Sequence, residues 1–146
     1  MSYESNALNA YRETTVTTAS QGSLIVMLYD EAIKQLGFAI ELMKDGKIKA
    51  DKIESVNNHI LKAQEIVTEL MASLDMNTGG QIAENLLSLY TFFNQQLLQA
   101  NMKKIPEPLV NVKTMMAELR EAWQEIVTKT PPPPNREVGS GINIAG

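Results

Sequence analysis

The hydrophobic positions of this chain fall into four stretches with helical spacing. Within residues 21–45, Ile25, Tyr29, Ala32, Leu36, Ala39 and Met43 recur at steps of 4, 3, 4, 3 and 4, which places them on one stripe of a helix. At 1.5 Å per residue that stretch is a rod of roughly 37 Å, and Gly46 fits its C-terminal stop. A second stretch follows Asp51, a good N-cap residue, with Ile53, Val56, Ile60, Ala63, Val67, Leu70 and Leu74 stepping 3, 4, 3, 4, 3 and 4. Residues 75–80, Asp-Met-Asn-Thr-Gly-Gly, are a turn by composition. A third helix is predicted from about Gln81 to Met102, striped by Leu86, Tyr90, Phe93, Leu97 and Ala100. Pro106 and Pro108 are tolerated only in the first turn of the fourth, which carries Leu109, Val112, Met116, Leu119, Trp123 and Ile126. No segment reads as a strand. Four helices of similar length with short connections predict an all-α fold, an antiparallel up-down four-helix bundle over residues 21–130.

The flanks have a different character. Residues 1–20 are polar and rich in threonine (Thr14, Thr15, Thr17, Thr18), with Leu8, Tyr11 and Val16 as apolar points. β-branched threonines make a poor helix interior, so an extended or one-turn N-terminal arm is expected, ending at Ser20 as the N-cap of the first helix. Beyond Thr130 come four prolines at 131–134 and then a Gly/Ser/Asn-rich end. That composition predicts a disordered, Pro-rich C-terminal tail over 131–146.

The stripes account for only part of the apolar surface. On the first helix Val26, Ile33 and Ile40 form a second line at seven-residue spacing, widened by Leu24, Met27 and Leu28. On the third, Ile82, Leu87, Leu89, Phe92 and Leu98 lie off the main stripe, and on the fourth so do Met115, Ala122 and Val127. The commoner explanation for any single one is a wide face, because each bundle helix touches two neighbours. As a set they point to a dimer interface or to a groove for a partner helix. Eight methionines, flexible and polarisable, suit a surface that moulds to a partner, though Met is also an ordinary gap-filler.

Composition narrows the chemistry. The chain has 146 residues, 13 Lys plus Arg against 17 Asp plus Glu, and a net charge of −4, which argues against nucleic acid as a partner. With no cysteine and one histidine, disulfides, thiolate metal sites, thiol catalysis and two-histidine metal sites are excluded. The polar start lacks the order of a signal peptide, and no apolar run approaches the ~20 residues of a membrane span, so a cytoplasmic protein without membrane insertion is expected. His59 and Lys62 form His-x-x-Lys on a bundle helix, the pattern of histidine phosphotransfer domains. Those continue with glycine, however, where this chain has the core residue Ala63, and a solvated surface histidine is the commoner case. Asp30, Glu31, Glu118, Glu121 and Glu125 read as solvated helix faces. There is no catalytic constellation, and neither enzyme activity nor a cofactor is expected.

Residues 9–20, Asn-Ala-Tyr-Arg-Glu-Thr-Thr-Val-Thr-Thr-Ala-Ser, lead into Leu-Ile-Val-Met-Leu-Tyr-Asp at 24–30. Together with Ala63–Leu70, the Gly79–Leu86 segment, Leu89-Tyr90, Leu-Leu-Gln-Ala-Asn at 97–101 and Leu-Arg-Glu-Ala-Trp at 119–123, the chain resembles the flagellar secretion chaperone family FliS over about residues 8–126. The resemblance implies a cytoplasmic export chaperone. It would bind the disordered C-terminal segment of flagellin, block premature polymerisation and present flagellin to the flagellar type III export apparatus. The export gate and other flagellar regulators are further expected partners, and the chaperone would be a monomer or weak homodimer. The resemblance implies that the N-terminal segment lies against the bundle and can be displaced when client binds. Leu8 and Tyr11 correspond to its anchors, with the ring of Tyr11 buried and its hydroxyl wet as in a reversible plug; because the arm contributes little core, Tyr11→Ala should leave the fold intact. Candidate client-binding residues are Leu8, Tyr11, Val26, Ile33, Ile82, Leu89, Phe92 and Met115. Two departures stand out. Gln21 replaces the usual proline at the start of the first helix, and Glu31 replaces the glycine after Leu-Tyr-Asp. Two other readings stay open: a phosphotransfer module using His59, and a structural bundle dimer that buries the second stripe on itself.

Overall fold

The computed structural model describes residues 7–11 and 21–129. Ser20, the threonines at 14–18 and the proline-rich segment 131–146 lie outside the described residues. Four long helices carry the fold: α1 (Gln21–Met43), α2 (Ile53–Ala72), α3 (Gly80–Lys103) and α4 (Glu107–Lys129), with a single 3-10 turn at Ala50–Lys52 ahead of α2. α1 packs on α2 and α4, and α3 packs on the same two, so the helices form a square with α1 diagonal to α3. The rungs fix the directions. On the α1–α4 seam Val127 lies against Gly22 and Lys113 against Gly37, with Asp30 and Arg120 paired between them. On the α2–α3 seam Asn101 bonds Asn57 and Asn94 bonds Thr68. Both seams run antiparallel, as the short connections require.

The core is the set of stripes read from the spacing. All six stripe residues of α1 are buried, as are Val56, Ile60, Ala63, Val67 and Leu70 of α2, and Leu86, Tyr90, Phe93, Leu97 and Ala100 of α3. On α4, Leu109, Val112, Met116, Trp123 and Ile126 are buried and Leu119 is half-buried against them. Removing a Leu- or Ile-sized side chain from water contributes about 1.5–3 kcal/mol, so this continuous interior dominates the stability of the bundle.

The departures are at the ends. Ile53 is exposed, because as the first residue of α2 it overhangs the bundle. Asp51 does not cap α2. It lies in the 3-10 turn, and the N-cap position falls on Lys52 without a side-chain bond. α1 stops at Met43, where the Gly46 N–H bonds the Met43 carbonyl at 3.0 Å. Leu74 lies beyond the end of α2 but remains buried. α4 starts at Glu107 with Pro108 in its first turn, the one place in a helix where a missing N–H costs nothing.

Candidate functional site

The arm segment sits where the start of α1, the α2–α3 turn and the end of α4 meet. Residues 7–9 make one helical turn, closed by Ala10 N–H to Ala7 O at 3.2 Å and Tyr11 N–H to Leu8 O at 3.0 Å. Three elements hold it. The Gln21 side-chain amide at the start of α1 donates to the Tyr11 carbonyl. The Asp75 N–H of the α2–α3 turn donates to the Ala10 carbonyl at 2.6 Å. The Tyr11 ring meets Trp123 of α4 edge to face, with ring centroids 5.5 Å apart. Gln21, read as a departure from the family pattern, is therefore a tie on the arm.

The turn that receives the arm is built from its own polar groups. Asp75 is buried, and its carboxylate accepts from the N–H of Asn77 at 3.0 Å, the N–H of Thr78 at 3.1 Å and the Thr78 hydroxyl. An Asx-type arrangement of this kind satisfies a buried acid locally and orients the Asp75 N–H towards the arm. Gly79 lies so close that a Cβ there would fall 2.6 Å from Ala83 Cβ, 2.7 Å from Asp75 O and 2.9 Å from Ala10 Cα. Only glycine permits that approach of turn and arm.

Beneath the arm is a chain of phenols. The Tyr11 hydroxyl bonds that of Tyr90, which also bonds the Tyr29 hydroxyl at 2.7 Å. Burial pushes the ionisation of Tyr11 well above the ordinary phenol value, with the nearby Tyr29 adding to the effect. Burial and the proximity of Tyr11 do the same to Tyr90. The expectation of a wet Tyr11 hydroxyl is corrected here. Tyr11 is 1 % exposed and belongs to the core, because its polar tip finds a partner inside the bundle. Asp75, Gly79, Tyr90 and Trp123 were not singled out as site residues in the sequence. The available signal was two tyrosines, Tyr29 and Tyr90, on core stripes, since a phenol in an apolar interior requires a partner.

The remaining candidates divide by depth. Val26 is 6 % exposed, buried rather than outward, because its position on α1 lies on the side turned to α4. Leu8, Ile33, Ile82, Leu89 and Met115 are half-buried against the core, and Phe92 is exposed at 41 %. On α3 the side turned to α2 carries Asn94 and Asn101, so Ile82 and Leu89, roughly opposite, flank the α3–α4 seam. Met115 reaches the same seam from α4, whose other side is tied to α1 by Lys113 and Arg120. Ile33 belongs to the α1–α4 seam instead. Thus the structure gathers Leu8 and Tyr11 at one end of the bundle and Ile82, Leu89 and Met115 along one seam, and it leaves Ile33 and Val26 apart.

His59 is half-buried between α1 and α2. Gln35 donates its amide to the Glu31 carboxylate at 2.8 Å, so its carbonyl oxygen accepts from His59 Nδ1 at 2.7 Å, which assigns the ring proton to Nδ1. Its ring also packs on exposed Phe38, with centroids 5.1 Å apart. The hydrogen bond from Gln35, and then that from Lys34, holds the Glu31 carboxyl below its ordinary carboxylate range. Glu31 and Asp30 lie on solvated faces, as expected, with side chains 46% and 50% exposed, and Asp30 also pairs with Arg120 at 2.8 Å. Among the described residues no group of three His, Asp or Glu side chains could hold a metal ion, and no helix is long and apolar enough to cross a membrane.

Comparison with known proteins agrees with the geometry. Residues 4–130 match the family model described as flagellar protein FliS. A flagellar secretion chaperone FliS of Salmonella typhimurium is 34% identical over 132 residues, covering 87% of this chain and 94% of that protein. Its counterpart in Vibrio cholerae is 33% identical over 124 residues, covering 82% and 88%. That in Bacillus subtilis is 29% identical over 122 residues, covering 84% and 86%. The match spans the arm and all four helices, and the chain belongs to the FliS family of flagellar secretion chaperones.

Proposed function

We propose that this chain works in the cytoplasm as an export chaperone for flagellin, binding its disordered C-terminal segment, preventing premature polymerisation and supporting delivery to the flagellar type III export apparatus. In this reading the residues divide into an arm at 1–20, a client-binding bundle at 21–130 and a tail at 131–146. The observation that carries it is the docked arm turn. A short segment fills a seat between three elements through bonds and ring contacts that another segment can replace, next to an α3–α4 seam rich in half-buried apolar side chains. The client takes the seat vacated by Leu8 and Tyr11 and continues along Ile82, Leu89, Phe92 and Met115. Ile33 lies on the neighbouring seam, within the path of a wrapped client. The chemistry is binding, and no group transfer is invoked.

The test is a titration of the isolated flagellin C-terminal segment into the full chain, followed by far-UV circular dichroism and heat. Folding coupled to binding buries on the order of 1,000–3,000 Å² and gives a negative heat-capacity change. Saturable binding with a gain in helix is expected. Phe92→Ala, at an exposed position, keeps the melting temperature and weakens binding by about fivefold or more, as loss of an aromatic anchor does. No binding at tens of micromolar refutes the assignment.

A further inference from the structure

The arm seat has a shape and a polarity that restrict what can occupy it. Ala7 is 2 % exposed and Ala10 is fully buried. The Ala10 backbone lies against Gly79, with no space between them even for a methyl on the glycine. The Asp75 N–H, held by the turn, requires a carbonyl at the position of Ala10. One residue further, the space against Trp123 ends at the Tyr90 hydroxyl, which is itself fully buried. An occupant with a purely apolar tip there takes one hydrogen bond away from a dry phenol pair, and a site built around such a bond discriminates against analogues that lack the group.

We propose that the seat reads a five-residue code in whatever helical turn enters it: small residues at the first and fourth positions, and at the fifth a long side chain ending in a hydrogen-bonding group that reaches Tyr90. In this chain the code is met by Ala7-Leu8-Asn9-Ala10-Tyr11. The proposal rests on the reading that a client segment replaces the arm, and it makes Tyr90 and Gly79 specificity-determining residues for that client. Two properties are read. The full burial of Ala10, on a backbone held close against Gly79, limits the size of the fourth residue, and Tyr90 the polarity of the fifth. Positions two and three are read weakly, since Leu8 and Asn9 are only half-buried.

The experiment uses the full chain carrying Tyr11→Ala, in which the internal occupant is weakened, and three synthetic peptides: residues 1–20 of this sequence, its Tyr11→Phe form and its Ala10→Leu form. The native peptide is expected to bind, the Tyr11→Phe peptide about fivefold more weakly, and the Ala10→Leu peptide not measurably. Adding Tyr90→Phe to the protein should abolish the difference between the first two peptides. Equal binding of the tyrosine and phenylalanine peptides, or binding of the leucine peptide, overturns the code. If the Tyr11→Ala protein does not fold, the same question is asked within one chain. Tyr11→Phe should speed hydrogen exchange at the Asp75 amide about fivefold while exchange in mid-α2 stays unchanged, and an unaltered Asp75 rate overturns the code. The flagellin titration separates the two readings. Absence of flagellin binding with the peptide ranking intact removes only the client assignment. Flagellin binding that leaves exchange of the arm's own Tyr11 amide unaltered overturns entry of the client into this seat, because a displaced arm turn loses the bond from Tyr11 N–H to Leu8 O.

Discussion

Replacing Gly79 by alanine tests the contact between turn and arm most directly. Gly79 has φ −80°, a conformation open to any residue, so the substitution carries no backbone strain. By itself it would stabilise the protein by about 0.4–1 kcal/mol through a stiffer unfolded chain. The new methyl, however, meets Ala83 Cβ, Asp75 O and Ala10 Cα at 2.6, 2.7 and 2.9 Å. None of these atoms is the far end of a flexible side chain. Departure of the arm relieves only the third contact, and the other two require the α2–α3 turn to move. Overpacking of this kind costs about 1–3 kcal/mol. After the entropic gain, a net loss of about 1.3 kcal/mol remains at the middle of these ranges and about 2.6 kcal/mol at most, a fall in melting temperature of about 3–10 °C for a domain of this size. Thermal unfolding by circular dichroism measures it, and hydrogen exchange at Asp75 reports whether the arm has left. Gly80→Ala is the control. Gly80 has φ +62° with nothing within 4 Å of an added Cβ, so its alanine variant is strained but leaves the arm seated. A Gly79→Ala protein that melts at or above the wild-type temperature with Asp75 still protected refutes the reasoning, because the turn would then yield without cost.

Other expectations follow from the same geometry. Phe93→Ala, in mid-α3 and fully buried, should cost about 3–5 kcal/mol in urea unfolding. Tyr11→Ala should destabilise too, but by less than Phe93→Ala, since the arm can detach without unfolding a helix; an equal cost would show the arm to be integral. Tyr11 and Tyr90 ionise well above the ordinary phenol value of 10.0. A raised folded-state value means the folded chain holds these protons more tightly. Their stabilising contribution is therefore complete below about pH 10 and falls as pH rises towards the folded-state values. Urea midpoints recorded from about pH 8 to pH 11 should show that decline, and Tyr90→Phe should reduce its slope. Arg120→Ala removes an ion pair with Asp30 whose partners are 28% and 50% exposed, and should shift the unfolding midpoint little, with the remaining shift abolished by salt.

The helices and their inward faces were legible because burial on a helix imposes a period that survives in the sequence. Ile25 through Met43 and Leu109 through Ile126 could face the core in only one way. The family was legible too, from short strings distributed over the arm and all four helices. Local chemistry was less reliable at the ends, where Asp51 looked like a cap but the chain made a 3-10 turn instead. What only the tertiary structure decided is which residues from distant parts of the chain share a site. Tyr11 and Tyr90, 79 residues apart, bond through their hydroxyls. Ala10, Asp75 and Gly79 meet through backbone atoms, which leave almost no trace in side-chain pattern. Val26 and Ile33 share a line at one spacing, yet only the position of α4 buries the first and leaves the second half open. Periodicity specifies a face; the packing of helix against helix specifies what that face meets, because contacts between elements depend on rotations and offsets that no single helix encodes.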